Sequence, residues 1–218
     1  PRNQLRSNNV NVDMKVIGKK TPRVDGFALA TGKPVFTDDI SLPETLFVKI
    51  LRSPHAHAKI INIDISKAIQ IKGVIAIFTH KDFPEHYYTT AGQGYPEPSP
   101  RDIRILDSTV RYVGDNVAII AAETLEAAIN AMGRIEVKYK ALPANFDMEK
   151  AGNSVPLHPE PTKTGIYESK LNIASHLEAE TGNVEKAFSE SANVFKGSYS
   201  TPYLQHAQIE PHITLTWF

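Results

Sequence analysis

Three histidines have neighbours that could give them a chemical role. Two of them, His55 and His57, lie two positions apart in the segment Arg52-Ser53-Pro54-His55-Ala56-His57-Ala58-Lys59-Ile60, which we call the first motif. In an extended chain both imidazoles would share one face. Two imidazoles can begin a metal site, but a zinc site normally needs a third or fourth ligand, and none is evident nearby. We therefore favour a structural turn, in which Pro54 fixes the corner and the histidines hydrogen-bond to backbone.

The third histidine, His206, forms a cluster with Gln205 and Glu210. A spacing of four residues puts His206 and Glu210 on one face of either a helix or a strand, so the pair could act as an acid–base couple. It could equally be a buried charge-assisted hydrogen bond that holds local structure. Because no nucleophile or ligand cradle accompanies the pair, we favour the structural role.

Three further patterns resemble parts of known binding sites but lack the residues that would complete such a site. In Gly92-Gln93-Gly94 the third glycine of a dinucleotide-binding loop would fall at Glu97, and no helix follows. The carboxylate pairs Asp38-Asp39 and Glu178/Glu180 lack the spacing of a calcium loop, so we expect solvated charges. The sequence therefore leads us to assign no catalytic, cofactor-binding or metal-binding residue.

Composition limits the classes of function. The chain has 218 residues, enough for one domain and part of another, and its 24 basic and 24 acidic side chains balance. That balance argues against nucleic acid or an anionic membrane as the main partner. The absence of cysteine excludes disulfides and thiolate-bound iron–sulfur clusters within the chain, and it fits a cytoplasmic location. No apolar run approaches the roughly 20 residues that a membrane helix needs.

The periodicity of apolar residues predicts an α+β domain with a mixed sheet and a few packed helices. We predict strands over residues 45–51, 59–65, 74–79, 116–122 and 134–139. Ser66 should cap a short helix over residues 67–70. Thr124 should cap a helix that ends at Gly133 and buries Leu125, Ala128, Ile129 and Met132. Later in the chain, Asn183 should cap a third helix, and residues 194–200 and 212–217 should form strands.

These elements suggest four parts of the chain. Residues 1–23 form a polar arm, and residues 24–142 form the α+β domain. Residues 143–180, which are rich in proline and lack periodicity, form an extended linker. Residues 181–218 begin a second α+β domain, which we expect to be truncated because its last predicted strand has no closing turn.

The chain resembles the molybdenum-binding subunit of the xanthine dehydrogenase/aldehyde oxidase family. The resemblance rests on the first motif and on Val110-Arg111-Tyr112-Val113-Gly114-Asp115-Asn116-Val117-Ala118, which we call the second motif. Gly182-Asn183-Val184-Glu185-Lys186-Ala187-Phe188 and the stretch from Gln205 to Pro211 follow in the family's order. The resemblance covers almost everything after about residue 16, and it is specific because several blocks recur in order.

The resemblance implies that residues 24–142 are an a/b hammerhead domain and that residues from about 180 open the first molybdenum-cofactor domain. Enzymes of this family hydroxylate a carbon with oxygen from water at a molybdenum–molybdopterin centre. Their electrons leave through iron–sulfur clusters, often to FAD and NAD, which lie in other domains or subunits. The family's catalytic and cofactor-binding residues lie downstream of the position of Phe218. The remaining molybdenum-cofactor domains and the iron–sulfur and FAD subunits or domains are therefore the expected partners.

The resemblance leaves the substrate open. A xanthine or purine dehydrogenase is our first expectation, with this chain architectural and inactive by itself. An aldehyde hydroxylase or an N-heterocycle hydroxylase of the nicotinate type shares the same N-terminal blocks. A non-catalytic binding or assembly module with the same fold is a further alternative.

Overall fold

The structure, a computed structural model, describes residues 15–90, 100–158 and 165–217. The chain divides into two compact units. The larger unit is Glu44–Thr201, and the smaller unit is formed by Pro1–Pro43 with Pro202–Phe218.

The described part of the smaller unit contains one short α-helix, α1 (Gly26–Ala30), and one 3-10 helix (Thr37–Asp39). Neither helix has a buried residue. Val24, Phe27 and Ile209 are among the exposed apolar side chains of this unit. Its described residues are therefore held by local hydrogen bonds more than by an apolar core.

The larger unit contains two antiparallel sheets of three strands each. The first sheet has the order β1-β5-β3, and the second has the order β4-β2-β6. The first sheet is built from β1 (Phe47–Arg52), β3 (Val74–Phe78) and β5 (Asn116–Ala122). The second sheet is built from β2 (Ala58–Asp64), β4 (Thr109–Val110) and β6 (Glu136–Ala141).

Strand β5 lies at the centre of the first sheet and contributes residues to two core clusters, one on each of its faces. Alternate residues of a strand point to opposite faces. Ile120 and Ala122 join one core cluster, which includes three alanines of helix α2 (Leu125–Met132). Val117 joins a second cluster with residues of β2 and β4, namely Ala58, Ile60 and Val110.

Helix α2 begins and ends where the sequence predicts, but it buries a different face. The Thr124 side chain accepts a hydrogen bond from the Ala127 backbone N–H at 3.1 Å, and Gly133 is the C-cap. The predicted burial of Leu125 and Ile129 is wrong, because these side chains are 44% and 45% exposed. The helix instead lies against the first sheet through its alanines, whose small side chains allow a close approach; the buried ones are Ala127, Ala128 and Ala131.

All five strands predicted for the α+β domain are confirmed, and each observed end lies within two residues of its predicted position. The α+β class is confirmed as well. The short helix predicted after Ser66 is wrong, since residues 66–70 form turns. The Asp64 carboxylate accepts the Ser66 N–H at 2.9 Å, so a residue two positions before the predicted cap orders the turn. Strand β4 was not predicted, because two residues carry no periodicity.

Beyond β6 the chain has few regular elements. Helix α3 (Val184–Glu190) is confirmed, with the Asn183 side chain accepting the Lys186 N–H at 2.8 Å. Two 3-10 helices (Met148–Asn153 and Ser169–Leu171) interrupt the linker.

The strands predicted over residues 194–200 and 212–217 are wrong, because neither segment pairs with any described strand. Their apolar residues are exposed, with Phe195 at 94% and Trp217 at 71%. Alternation of apolar residues makes a strand only where a neighbouring strand completes the hydrogen-bond ladder. The described chain does not provide that neighbour.

Candidate functional site: the junction of the two motifs

The first and second motifs are about sixty residues apart in the chain and lie side by side in the larger unit. Backbone hydrogen bonds join them, from Ser53 N to Asp115 O and from Gly114 N to Ser53 O, both at 2.8 Å. The Arg52 guanidinium donates from Nη1 to Gly114 O and to Asn116 Oδ1, both at 2.9 Å. Ser53 is 3% exposed, so these bonds satisfy backbone groups that have lost contact with water.

The second motif makes a tight turn that depends on Gly114 and Asp115. Gly114 has φ of +99°, which L side chains rarely adopt, although no atom lies within 4 Å of where a Cβ would be. The Asp115 carboxylate accepts the backbone N–H groups of Arg111 and Asn116, both at 2.9 Å. The turn is therefore closed by its own side chains, and it leaves Tyr112 and Val113 57% and 65% exposed.

The histidines of the first motif both contact the region around the end of β6. His57 is 5% exposed, and its Nδ1 lies 2.6 Å from the carbonyl oxygen of Pro143. Because a carbonyl oxygen only accepts, Nδ1 must carry the proton. The backbone carbonyl of His57 also accepts the Leu142 N–H at 2.9 Å. The His55 ring packs on Tyr139 with ring centroids 4.7 Å apart.

These contacts limit what the histidines could bind. The Nδ1 atom of His57 is occupied by the carbonyl, so only Nε2 remains as a possible ligand atom. No group of three or more metal-ligating side chains occurs among residues 15–90, 100–158 and 165–217. The geometry brings the histidines to a structural corner, where they fix the chain that leaves β6.

A buried cluster of charges lies next to the second motif. Asp107 accepts from Arg111 Nη1 at 2.7 Å and from Arg104 Nη1 at 3.2 Å. The side chains of Arg104, Asp107 and Arg111 are 10%, 15% and 14% exposed. Arg111 also donates from Nε to the carbonyl of Leu157 at 2.9 Å. One arginine of the second motif thus connects the sheet domain to the linker.

Burial and the two arginines act on Asp107 in opposite directions. Burial by itself raises the pKa of Asp107, because a desolvated carboxylate is costly. The hydrogen bond and charge of Arg111 and the charge of Arg104 outweigh that effect and hold the pKa of Asp107 below its ordinary value. Burial, assisted by the positive charge of Lys81, lowers the pKa of nearby His80. The two arginines therefore favour the ionised form of Asp107, whereas burial favours the uncharged form of His80.

The linker is attached to the domain at several points and closed on itself by Asn172. That residue has a left-handed φ of 57°. Its side chain accepts the Leu157 N–H at 2.8 Å and donates to the Ala151 carbonyl at 2.9 Å. With the His57–Pro143 and Arg111–Leu157 contacts, these bonds fasten the described linker to the two motifs.

Sequence reasoning missed the roles of Arg104, Asp107, Arg111 and Asn172. The available signal was an aspartate placed three and four residues from two arginines in a segment without periodicity. The spacing alone is uninformative, because most such pairs are solvated. Burial by the linker, which joins residues far apart in sequence, gives these side chains their role.

The structure does not bring together the residues of the third-histidine cluster. Gln205, His206 and Glu210 are exposed, and no ion pair joins His206 to Glu210 in the described chain. The contact at this point is instead between Gln208 Nε2 and His212 Nε2.

The remaining candidates are solvated or fall outside the described residues. Asp39 caps its own 3-10 helix by accepting the Phe36 N–H at 3.0 Å. Glu178 lies 4.0 Å from His176 at the surface, and Glu180 is exposed. Gly92-Gln93-Gly94 lies outside the described residues.

One cavity of about 170 Å³ lies between the linker and the domain. It is lined by Asp102, Leu157, His158, Ile166, Ser169, Asn172 and Ala174. Sites for cofactors and drug-sized ligands usually enclose about 300–1,000 Å³. Within the described residues, no helix is long and apolar enough to cross a bilayer.

Comparison with known proteins gives the class of the protein. The family described as aldehyde oxidase and xanthine dehydrogenase, a/b hammerhead domain, matches residues 31–143. The chain belongs to this family, and the two sheets with α2 are its a/b hammerhead fold. It is thus part of the molybdenum hydroxylase family of the xanthine dehydrogenase and aldehyde oxidoreductase type.

Named relatives extend the match beyond this domain. The chain is 32% identical to "Probable hypoxanthine oxidase XdhD" of Escherichia coli O157:H7, over 94% of this chain and 24% of that protein. It is 31% identical to "Nicotinate dehydrogenase large molybdopterin subunit" of Eubacterium barkeri, over 94% of this chain and 45% of that protein. The chain therefore spans about a quarter to under half of the length of these relatives.

A solved structure shares the fold. The aldehyde oxidoreductase of Desulfovibrio gigas superposes with a TM-score of 0.56 and 28% identity, covering 63% of this chain and 16% of that one. The names of these proteins refer to a purine, a pyridine and an aldehyde. The fold is therefore common to enzymes with chemically different substrates.

The residues present do not fit a molybdopterin cofactor by themselves. The cavity under the linker is smaller than a cofactor site, and one of its polar lining residues, Asn172, is used to hold the linker. We therefore derive no catalytic step from these residues.

Proposed function

We propose that this chain supplies the hammerhead domain of a molybdenum hydroxylase that oxidises a purine carbon with water as the source of oxygen. Its role is architectural, and none of its residues is catalytic or binds the cofactor. The molybdenum–molybdopterin centre, which provides the oxidising power when bound, is held by the remaining molybdenum-cofactor domains. Iron–sulfur clusters and FAD in other domains or subunits accept the electrons.

The main support for this proposal comes from the partners that the polar groups of the two motifs bind. The Arg52 side chain donates to Gly114 and Asn116 of the second motif, and the Asp115 carboxylate accepts two backbone N–H groups of its own motif. The side chains of His57 and Arg111 bind carbonyls of the linker. Side chains that act on a substrate must reach a pocket. These side chains are used to fix the two motifs and the chain that follows β6, as far as Leu157.

The purine class is favoured by the 32% identity to the protein named as a hypoxanthine oxidase. A pyridine substrate is the second candidate, because the protein named as a nicotinate dehydrogenase subunit is 31% identical over the same share of this chain. The two matches are close in percentage identity, so the substrate has to be decided by assay.

The test compares the complete enzyme with the 218-residue chain. We expect mass spectrometry of the metal to detect molybdenum in the complete enzyme. The complete enzyme should also oxidise hypoxanthine or xanthine faster than nicotinate or an aldehyde. We expect the 218-residue chain alone to contain no molybdenum and to oxidise none of them. Oxidation of xanthine by the purified chain without added subunits would overturn the architectural role.

The same experiment distinguishes a non-catalytic module. A monodisperse chain with no affinity for cofactor-binding domains, together with a complete protein that lacks molybdenum, would support that alternative. Co-purification of the chain with a domain that carries molybdenum would contradict it.

A further inference from the structure

One face of the first sheet consists entirely of apolar residues. In the register of the sheet, Ala121 of β5 lies between Val48 of β1 and Ala76 of β3. Ile119 lies in the same way between Ile50 and Phe78. Alternation along each strand places all six side chains on one side of the sheet. We call this group the open face; it comprises Val48, Ile50, Ala76, Phe78, Ile119 and Ala121.

The opposite side of the same strands is covered within the unit. Ile77, Ile120 and Ala122 point away from the open face and pack with the alanines of α2. At one end of β5, the Val117 side chain lies on the same side of the sheet as the open face, and residues of the second sheet cover it. The second sheet therefore covers only that end.

The rest of the open face is accessible to solvent. Val48 is 57% exposed and Phe78 is 40% exposed, while Ile50, Ala76, Ile119 and Ala121 are half-buried by one another. An antiparallel sheet with a solvated face normally alternates apolar and polar residues. Here the open face is apolar across all three strands, which is the pattern of a sheet face that is covered.

The length of the relatives indicates what covers this face. The matched relatives are proteins of which this chain spans 24% and 45%, so most of their polypeptide lies outside the matched region. Permanent interfaces resemble a domain core cut in two and are more apolar than transient ones. The open face carries no charge that would suit a transient, electrostatically steered partner.

We propose that the open face is the surface on which the remaining molybdenum-cofactor domains of the same enzyme pack, through an apolar surface of their own. This inference rests on the proposed function and adds to it the surface of contact. Val48, Ile50, Phe78 and Ile119 are the anchors of the interface, with the two alanines allowing close approach.

The test uses thiol labelling, because the chain has no cysteine of its own. Val48→Cys places a thiol on the open face, and Ile61→Cys is the matched control. Ile61 is an apolar strand residue of the second sheet with an exposed fraction of 58%, almost equal to the 57% of Val48. Both variants are made in the 218-residue chain and in the complete enzyme, and iodoacetamide labelling of each site is followed by peptide mass spectrometry.

We expect the thiol at position 48 to react about tenfold or more slowly in the complete enzyme than in the 218-residue chain. The thiol at position 61 should react at similar rates in both. Phe78→Cys provides a second probe of the same face should Val48→Cys fail to fold. Equal rates at position 48 in the two proteins would overturn the inference.

Two further outcomes have fixed meanings. Protection of position 48 that appears in the 218-residue chain as its concentration rises would assign the face to a second copy of the chain and contradict the inference. The molybdenum content of the unmodified enzyme tests the proposed function separately. An enzyme that contains molybdenum and leaves position 48 reactive would contradict only the inference.

Discussion

The sheets and the C-terminal region differ in where their side chains find partners. In residues 47–141, β5 contributes buried residues to two core clusters, and polar groups of the two motifs bind each other or the linker. In residues 173–214, every side chain is exposed, including large apolar ones such as Phe195 and Ile209. Both regions contain large apolar residues, but only the sheets bury some of them within the described chain.

The difference shows that apolar content alone does not make a core. A core forms when two apolar surfaces can be placed against each other, as α2 and the second sheet are placed against β5. The C-terminal region has one short helix and no paired strand among its described residues. Variants at matched positions in the two regions should therefore have very different effects on stability.

The largest contrast should come from two isoleucines. Ile120→Ala removes a side chain that is 0% exposed between β5 and α2, and it should lower the free energy of unfolding by about 2–5 kcal/mol. Ile209→Ala removes a side chain that is 102% exposed, and it should change stability by less than about 0.5 kcal/mol. Urea denaturation of the 218-residue chain, followed by circular dichroism, measures both. Similar losses in the two variants would contradict the contrast.

The next effect concerns ion pairs. Asp107→Asn removes the negative charge beside Arg104 and Arg111, whose side chains are only 10% and 14% exposed. Leaving two buried positive charges beside a neutral amide should lower the free energy of unfolding by about 3 kcal/mol. The matched control is Glu190→Gln, which breaks the pair between Lys186 and Glu190 on α3, where both side chains are about two-thirds exposed. We expect the control to leave the urea midpoint almost unchanged. A destabilisation by Glu190→Gln as large as that by Asp107→Asn would show that burial does not determine how much each ion pair contributes to stability.

A smaller contrast should come from two glycines with positive φ. Gly114 (φ +99°) and Gly182 (φ +76°) both have open space where a Cβ would be, so a substitution by alanine tests backbone strain alone. Gly114→Ala should cost about 1–2 kcal/mol, because the turn is fixed by its hydrogen bonds to Arg52 and Ser53. Gly182→Ala should lower the free energy of global unfolding by a smaller amount, because the exposed residues around Gly182 can change conformation locally. Thermal unfolding of both variants gives the comparison, and equal shifts in Tm would argue against it.

The smallest effect is a dependence on pH. The pKa of Asp107 lies below its ordinary value of 3.8 in the folded chain, so its ion pairs stabilise the fold above that pH. This contribution should be lost as the pH falls through the lowered pKa of the folded state. The free energy of unfolding should therefore fall more steeply below about pH 4 in the unmodified chain than in Asp107→Asn. Parallel slopes in urea titrations across this range would contradict the assignment.

Much of the fold of residues 45–141 could be predicted from sequence, because short-range periodicity and caps determine it. Strand β5 was predicted with its observed ends, and Thr124 and Gly133 bound α2 as expected. The buried face of α2 could not be predicted. Leu125 and Ile129 fit the apolar periodicity as well as the alanines do, and only the close approach of helix and sheet selects the alanines.

Less of the candidate site could be predicted. The two motifs were recognised as blocks, but nothing in their spacing shows that Arg52 meets Gly114 or that His57 meets Pro143. These contacts span 62 and 86 residues, so they depend on how the sheets place the ends of their strands. The role of Asn172 depends in the same way on the path of the linker.

The sequence by itself determined the family, the five strands predicted for the α+β domain, the helices capped by Thr124 and Asn183, and the absence of cysteine, since these follow from residue types and local spacing. The tertiary structure decided which polar side chains are buried and bound, how the motifs hold the linker, and which face of the first sheet stays open. Burial and long-range pairing are properties of surfaces brought together by folding, and no local pattern carries that information. The apolar strands predicted near the C-terminus illustrate the limit, because a strand exists only when a second strand pairs with it.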